Sequence, residues 1–293
     1  MPLDREHAQL VFRKLSRQLA KLGTKPQPGN VHQFRTCSRR LQVLLEELTL
    51  ELSRNDKRLL KLLRRLRRRA GRVRDLDVQI AALRSLKIPQ EPRRKAQLLG
   101  TLTEMRIQRE KKLSQSLDRK TIRELRRRLK KTENNHQLAA GVEPLQVARR
   151  ILAEISKPKA PLTEEVLHQY RLAGKRVRYV TELGGEVAEA QPFINMLKDM
   201  QDALGDWHDW LLLSQSAKKI LGEGQDSALL SALRNVTGAK FRHALQVVGE
   251  MRATFLPKPA TPEETRTSPR TSTASLPHRP VTGQKLGVRA ATA

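Results

Sequence analysis

Two short stripes of polar residues hold the chemistry this chain can offer. His32, Arg35, Arg39 and Gln42 are spaced by three and four residues, which on a helix sets them on one face with roughly 5–6 Å between neighbouring Cβ atoms. His168, Arg171, Lys175 and Arg178 repeat the design 136 residues further on. Such rows supply positive charge and hydrogen-bond donors, and a guanidinium can grip two phosphate oxygens at once. A single Arg on a helix is ordinarily a solvated surface residue. A whole stripe repeated at the same spacing points instead to a ligand.

A second set of cations follows each stripe. Lys57, Lys61, Arg64, Arg65, Arg68 and Arg72 recur at helical steps, flanked by Arg67, Arg69 and Arg74. In the second half Lys198 stands at the place of Arg64, while Gln201 and Asp202 replace Arg67 and Arg68. The first half is therefore the more basic. A straight helix presents donors at regular intervals, which suits a repeating anion better than a compact one. The run Arg119–Lys131, including Arg123, Arg126, Arg127, Arg128, Lys130 and Lys131, is basic on all sides. It reads equally as a solvated helix and as a general nucleic-acid patch.

The apolar residues define the helices that must hold these side chains. Leu10, Val11, Leu15, Leu19 and Leu22 form a helical stripe within 3–22, and Val31, Phe34, Leu41, Leu44, Leu48 and Leu52 form another. Further helices are expected over Asp56–Leu86 and, as one long pattern, over Lys95 to about Thr132. The order then recurs with helices at Pro144–Ile155, Thr163–Leu183, Gln191–Leu221 and Asp226–Phe255, and a loop at Lys157–Pro161. His32-Gln33-Phe34-Arg35 matches His168-Gln169-Tyr170-Arg171 at an offset of 136, and Gly71-x-x-Arg74-Asp75 matches Gly205-x-x-His208-Asp209 at 134. Two motifs in the same order predict an internal repeat: an all-α fold of two tandem, pseudo-symmetric four-helix bundles, repeat one over about 3–135 and repeat two over about 143–256. From 257 to 293 the composition turns to Pro, Ser, Thr and Arg without apolar periodicity, so a disordered basic tail is expected. Asp75, Asp77 and Asp209 sit among cations and are read as structural, and Trp207 and Trp210 as packing in the second bundle.

Composition narrows the partner. Lys and Arg number 58 against 30 Asp and Glu, a formal charge of +28, which attracts nucleic acid, polyphosphate or an anionic membrane surface. Aromatic residues are 3% of the chain, too few for a series of base-stacking platforms. Cys37 is the sole cysteine, so no disulfide forms within the chain and a reducing, cytoplasmic setting is expected. The N-terminus lacks the apolar core of a signal peptide, and no stretch is long and apolar enough to insert in a membrane. The seven histidines form no metal-binding spacing, so no metal and no cofactor are assigned. Phosphate-loop, nucleophile-elbow and dinucleotide motifs are missing, and no enzyme activity is expected.

The paired stripes, Val31-His32-Gln33-Phe34-Arg35-x-x-x-Arg39-Arg40-Leu41 and Leu167-His168-Gln169-Tyr170-Arg171-x-x-x-Lys175-Arg176-Val177-Arg178-Tyr179, with the Gly-x-x-Arg/His-Asp elements, resemble the CHAD domain, the conserved histidine α-helical domain. The resemblance covers about residues 5–255. It implies a basic channel or groove between two bundles that binds inorganic polyphosphate, and an association with polyphosphate granules. Carried onto this chain, the binding positions are His32, Arg35, Arg39, Arg40, His168, Arg171, Lys175, Arg176, Arg178 and Tyr179, with Arg74 and His208 from the second motif. Lys61, Arg64, Arg68 and Lys198 join them from the basic rows. Many members carry a triphosphate-tunnel domain ahead of the helices; no such segment is seen here, and binding without hydrolysis is the expectation. The competing expectation is a non-specific nucleic-acid-binding protein using the same charge. Oligomeric state is not legible.

Overall fold

Helix caps and apolar spacing account for most of the architecture. In this computed structural model residues 3, 5–24, 26–139, 141–156, 161–184, 190–222 and 227–255 are described. They form α1 (Arg5–Thr24), α2 (Pro28–Glu47), α3 (Arg54–Ser85), α4 (Pro92–Gln115), α5 (Arg119–Asn135), α6 (Pro144–Ser156), α7 (Glu164–Thr181), α8 (Gln191–Leu221) and α9 (Ala228–Phe255). The expected loop at Lys157–Pro161 lies mostly, and the expected tail wholly, outside the described residues.

Consecutive helices pack as neighbours: α1 on α2, α2 on α3, α3 on α4, then α6 on α7, α7 on α8 and α8 on α9. The two halves meet through α2 against α7, α3 against α8 and α4 against α8. The cores cross that boundary. One cluster joins Phe12, Leu15, Phe34, Leu41 and Leu63 of the first half to Tyr170, Val177, Leu197, Trp207 and Val248 of the second. A second cluster joins Leu76, Leu83, Leu98 and Leu102 to Leu213, Ala217, Leu229 and Leu233 at the far ends of α3 and α8. The halves therefore share their apolar interior.

The long helix expected over Lys95 to about Thr132 is two helices. Ser116 closes α4, its N–H reaching the Leu113 carbonyl, and Asp118 caps α5 by accepting from the Thr121 N–H at 2.6 Å. The break turns α5 back onto α1 and α3, burying Leu113, Leu117, Leu125 and Leu129 in the main cluster. In the second half the unbroken α9 reaches both clusters by length alone. The helix read as ending at Leu52 stops at Glu47, because the next residues leave to form a β-bridge, Thr49 to Leu138.

Buried polar groups tie these pieces together. Ser53 and Asp56 form a reciprocal capping box at the start of α3. Asp56 also accepts from the Thr132 hydroxyl at 2.6 Å, and Asn55 donates to Thr132 and to the Arg128 carbonyl, fastening α5 to α3. At the far end Glu91, with φ 53°, accepts from the Leu229 N–H and the Ser227 hydroxyl. Those bonds hold its carboxyl below the usual range and anchor the first turn of α9 to the first half.

Candidate polyanion-binding junction

The repeated stripes lie on α2 and α7, which pack against each other across the repeat boundary. Each helix buries matching residues: Val31, Phe34, Ser38 and Leu41 in α2, and Leu167, Tyr170, Gly174 and Val177 in α7. Tyr170 replaces Phe34 at no cost to the core, because its hydroxyl bonds Ser156 at 3.0 Å and accepts from Arg252 Nε at 2.7 Å. With that face fixed inward, the His-x-x-Arg stripes are left along the rim, flanked by α3 and α8.

Arg35 is seated by Gly71. Its guanidinium occupies the space a Cβ at position 71 would need, and Nη1 donates to the Arg67 carbonyl at 3.2 Å. Arg67 in turn reaches back to α2, donating to the Ser38 carbonyl at 3.3 Å, to its hydroxyl at 3.2 Å, and to Gln42. Burial first, then the charges of Arg39, Arg64 and Arg35, push the Arg67 guanidinium down to about 10, with Glu46 opposing. The second half makes the same brace with exchanged residues: Gln201 donates to the Gly174 carbonyl at 3.0 Å and accepts from Arg178 at 3.4 Å. Each half thus holds one Arg–Gln pair, with the Arg on α3 in one and on α7 in the other.

The electrostatics show which groups share a site. Lys175 is pushed down to about 7 by burial and then by Arg171, Arg39 and Arg35, only partly offset by Asp209. Arg35 is lowered by burial, with Asp75 and Tyr179 opposing and Arg39 and Arg171 reinforcing. Arg171 is likewise lowered by burial, with Asp209 and Asp75 opposing and Arg39 reinforcing, and its Nε is buried without a hydrogen-bond partner among the described residues. His208 is driven down to about 4 by burial, Arg171, His168 and Lys175, and its ring lies 5.7 Å from that of His168. His32 is lowered by burial, Arg74, Arg35 and Arg178. Cations of both halves therefore crowd one another across the boundary.

Two carboxylates stand among them, on α3 and α8. Asp75 keeps an exposed edge, yet the protein around its carboxyl raises it, against Arg35, Arg171, Lys175 and Arg74. Asp209 is raised by burial and by Asp75, against Arg171, Lys175 and Arg74. Each faces cations of both halves. The Gly-x-x-Arg/His-Asp spacing is the sequence signal for both. Arg67, which in sequence only flanks the basic row, lies one turn before Gly71, on the face that meets α2.

The structure gathers His32, Arg35, Arg39, Arg74, His168, Arg171, Lys175, Tyr179 and His208 of the expected positions. It places others elsewhere. Arg40 donates to Glu182 through Nε at 2.8 Å and Nη2 at 2.7 Å, and Arg176 donates to Glu47 at 2.7 Å. These are reciprocal clasps between α2 and α7, with the guanidinium groups already occupied. Arg178, near enough to His32 to help lower it, is already bonded to Glu182 at 2.7 Å and, with Lys198, Lys14 and Asp202, lines a concavity of about 750 Å³ between α1, α2, α7 and α8. Arg64 makes a loose pair with Glu46 at 3.6 Å, whereas Lys61 and Arg68 are exposed on α3 beyond the crowded set. In the basic run of α5, Glu124 pairs with Arg127 and Arg128, and Arg123, Arg126, Lys130 and Lys131 face solvent.

Among the described residues no group of three His, Cys, Asp or Glu side chains could hold a metal ion, and no helix is long and apolar enough to cross a membrane. The sequence matches the CHAD domain family over residues 6–218. The fold is similar to PptA from Streptomyces chartreusis, with a TM-score of 0.61 at 14% identity over 86% of this chain and 99% of that one. It is also similar to the crystal structure of the CHAD domain from the plant Ricinus communis, with a TM-score of 0.60 at 16% identity over 85% of this chain and 90% of that one. No curated protein matches the sequence.

Proposed function

As the chain belongs to the CHAD domain family, we propose that its α2–α7 junction binds inorganic polyphosphate and acts by binding alone, without making or breaking a bond. The observation that carries this reading is the burial of Lys175 in the company of Arg171, Arg39 and Arg35, which together bring its ammonium down to about 7. Cations held this close repel one another, and a chain of phosphates laid between the helices relieves the repulsion along its length. The family resemblance supplies inorganic polyphosphate as that chain, and polyphosphate granules as a setting. Phe34, Tyr170 and Trp207, which adjoin the stripes in sequence, are buried in the core and so give bases no platform, which disfavours base stacking.

Competition at moderate salt tests the reading. Long-chain polyphosphate is expected to displace labelled duplex DNA and RNA from the full chain at matched phosphate concentration. Nucleic acid outcompeting polyphosphate would overturn the ligand assignment and favour the exposed basic face of α5 as the working surface. Phosphate release in the presence of magnesium or manganese, lost on Asp75→Asn, would overturn the non-catalytic reading.

A further inference from the structure

We propose that the cleft between α3 and the C-terminal part of α4 is a second anion site, separate from the junction, that takes a short inorganic oligophosphate. Arg69 and Arg72 of α3 face Arg109, Lys112 and Gln115 of α4 around a concavity of about 370 Å³. Residues 69 and 72, like 109 and 112, are spaced by three, so each helix sends both cations to the same side. Arg69 and Arg109 are half-buried, and Arg72 and Lys112 are exposed.

What sets this cleft apart is its lack of acids. One turn earlier on α4, Arg106 donates to Asp77 at 2.9 Å and pairs with Glu110, so that charge is answered on the spot. Among the described residues none of Arg69, Arg72, Arg109 and Lys112 makes an ion pair or a side-chain hydrogen bond. Four like charges lining one concavity raise the energy of the empty site.

The internal repeat shows that the fold does not require this arrangement. At the offset of 134 that relates Gly71 to Gly205, Arg69 corresponds to Ala203 and Arg72 to Asp206. There Lys240 of α9 donates to Asp206 at 2.9 Å. The same helix–helix contact is thus closed by a neutral pair in one half and left as a ring of cations in the other. Guanidinium groups with free forks suit phosphate oxygens. The lining has no aromatic side chain to receive a base, and its size favours a compact, densely charged anion over a polymer.

Calorimetric titration of the full chain with tripolyphosphate tests this without depending on what the junction binds. Two classes of site are expected. Arg72→Ala with Lys112→Ala, both exposed and so tolerated by the fold, should weaken one class by about tenfold or more and leave the other. Arg39→Ala with Lys175→Ala should do the reverse. A cleft class that persists while no junction class exists in the wild type would sink the junction reading and support this one. A titration unchanged by the cleft substitutions overturns the proposal. So does a cleft that prefers a trinucleotide bearing equal phosphates to tripolyphosphate.

Discussion

Arg35 reaches the backbone of α3 with its Nη1 because position 71 carries no side chain. The matching glycine of the second half, Gly205, has open space where its Cβ would stand. One of the two repeat glycines is therefore an element of the site and the other is not.

That difference predicts different outcomes for one substitution. Gly71→Ala should displace the Arg35 guanidinium and weaken polyphosphate binding with little net change in stability, because the atom it meets is the end of a flexible side chain and Ala favours a helix interior by up to about 1 kcal/mol. Gly205→Ala should be neutral or stabilise by up to about 1 kcal/mol, since Ala favours a helix interior. Urea denaturation of both variants, with polyphosphate affinity measured alongside, checks this.

Replacing Arg35, Arg39, Arg171 and Lys175 together with Ala should lower polyphosphate affinity by at least about a hundredfold, with helical circular dichroism retained. Removing four exposed cations of α5, Arg123, Arg126, Lys130 and Lys131, should do less. The reverse ranking would make the stripes structural.

The clasps should behave differently from the stripes, although they neighbour them in sequence. Arg40→Ala and Arg176→Ala remove partly exposed ion pairs, so each should cost roughly 0.2–1 kcal/mol in a double-mutant cycle with Glu182 or Glu47. Polyphosphate affinity should stay near that of the wild type.

Binding should depend on pH through Lys175. Its ammonium sits among Arg35, Arg39 and Arg171, with Asp75 and Asp209 opposite, and titrates at about 7. A polyanion favours the charged form, so binding takes up a proton and affinity falls as pH rises from 7. The unliganded protein should show the opposite trend in stability. With the folded value depressed below that of the unfolded chain, the unfolded state binds more protons between about 7 and 10.5, and stability rises with pH across that window. Lys175→Arg should flatten both curves; calorimetry in buffers of different ionisation enthalpy reads the proton uptake directly.

The hydroxyl of Thr132 joins Asp56 and Asn55 in a buried position. Thr132→Val should cost about 1–3 kcal/mol by leaving the Asp56 carboxylate short of a donor, measured by thermal unfolding.

The helices and the excess of positive charge were legible in the residues alone, because a 3.6-residue period and a net charge are local or additive properties. The apolar period runs through the break at Ser116–Asp118 and hides it, although Asp118 is a residue type that caps helices. What tertiary structure decided is how adjacent cations divide. Arg39 and Arg40 follow one another in sequence and lie about 100° apart on α2. That divergence is certain from the sequence, whereas the neighbour each one meets is not. Packing of α2 against α7 turns Arg39 toward Arg171 and Lys175, and Arg40 toward Glu182. One becomes part of a crowded field of cations, and the other is neutralised within the fold.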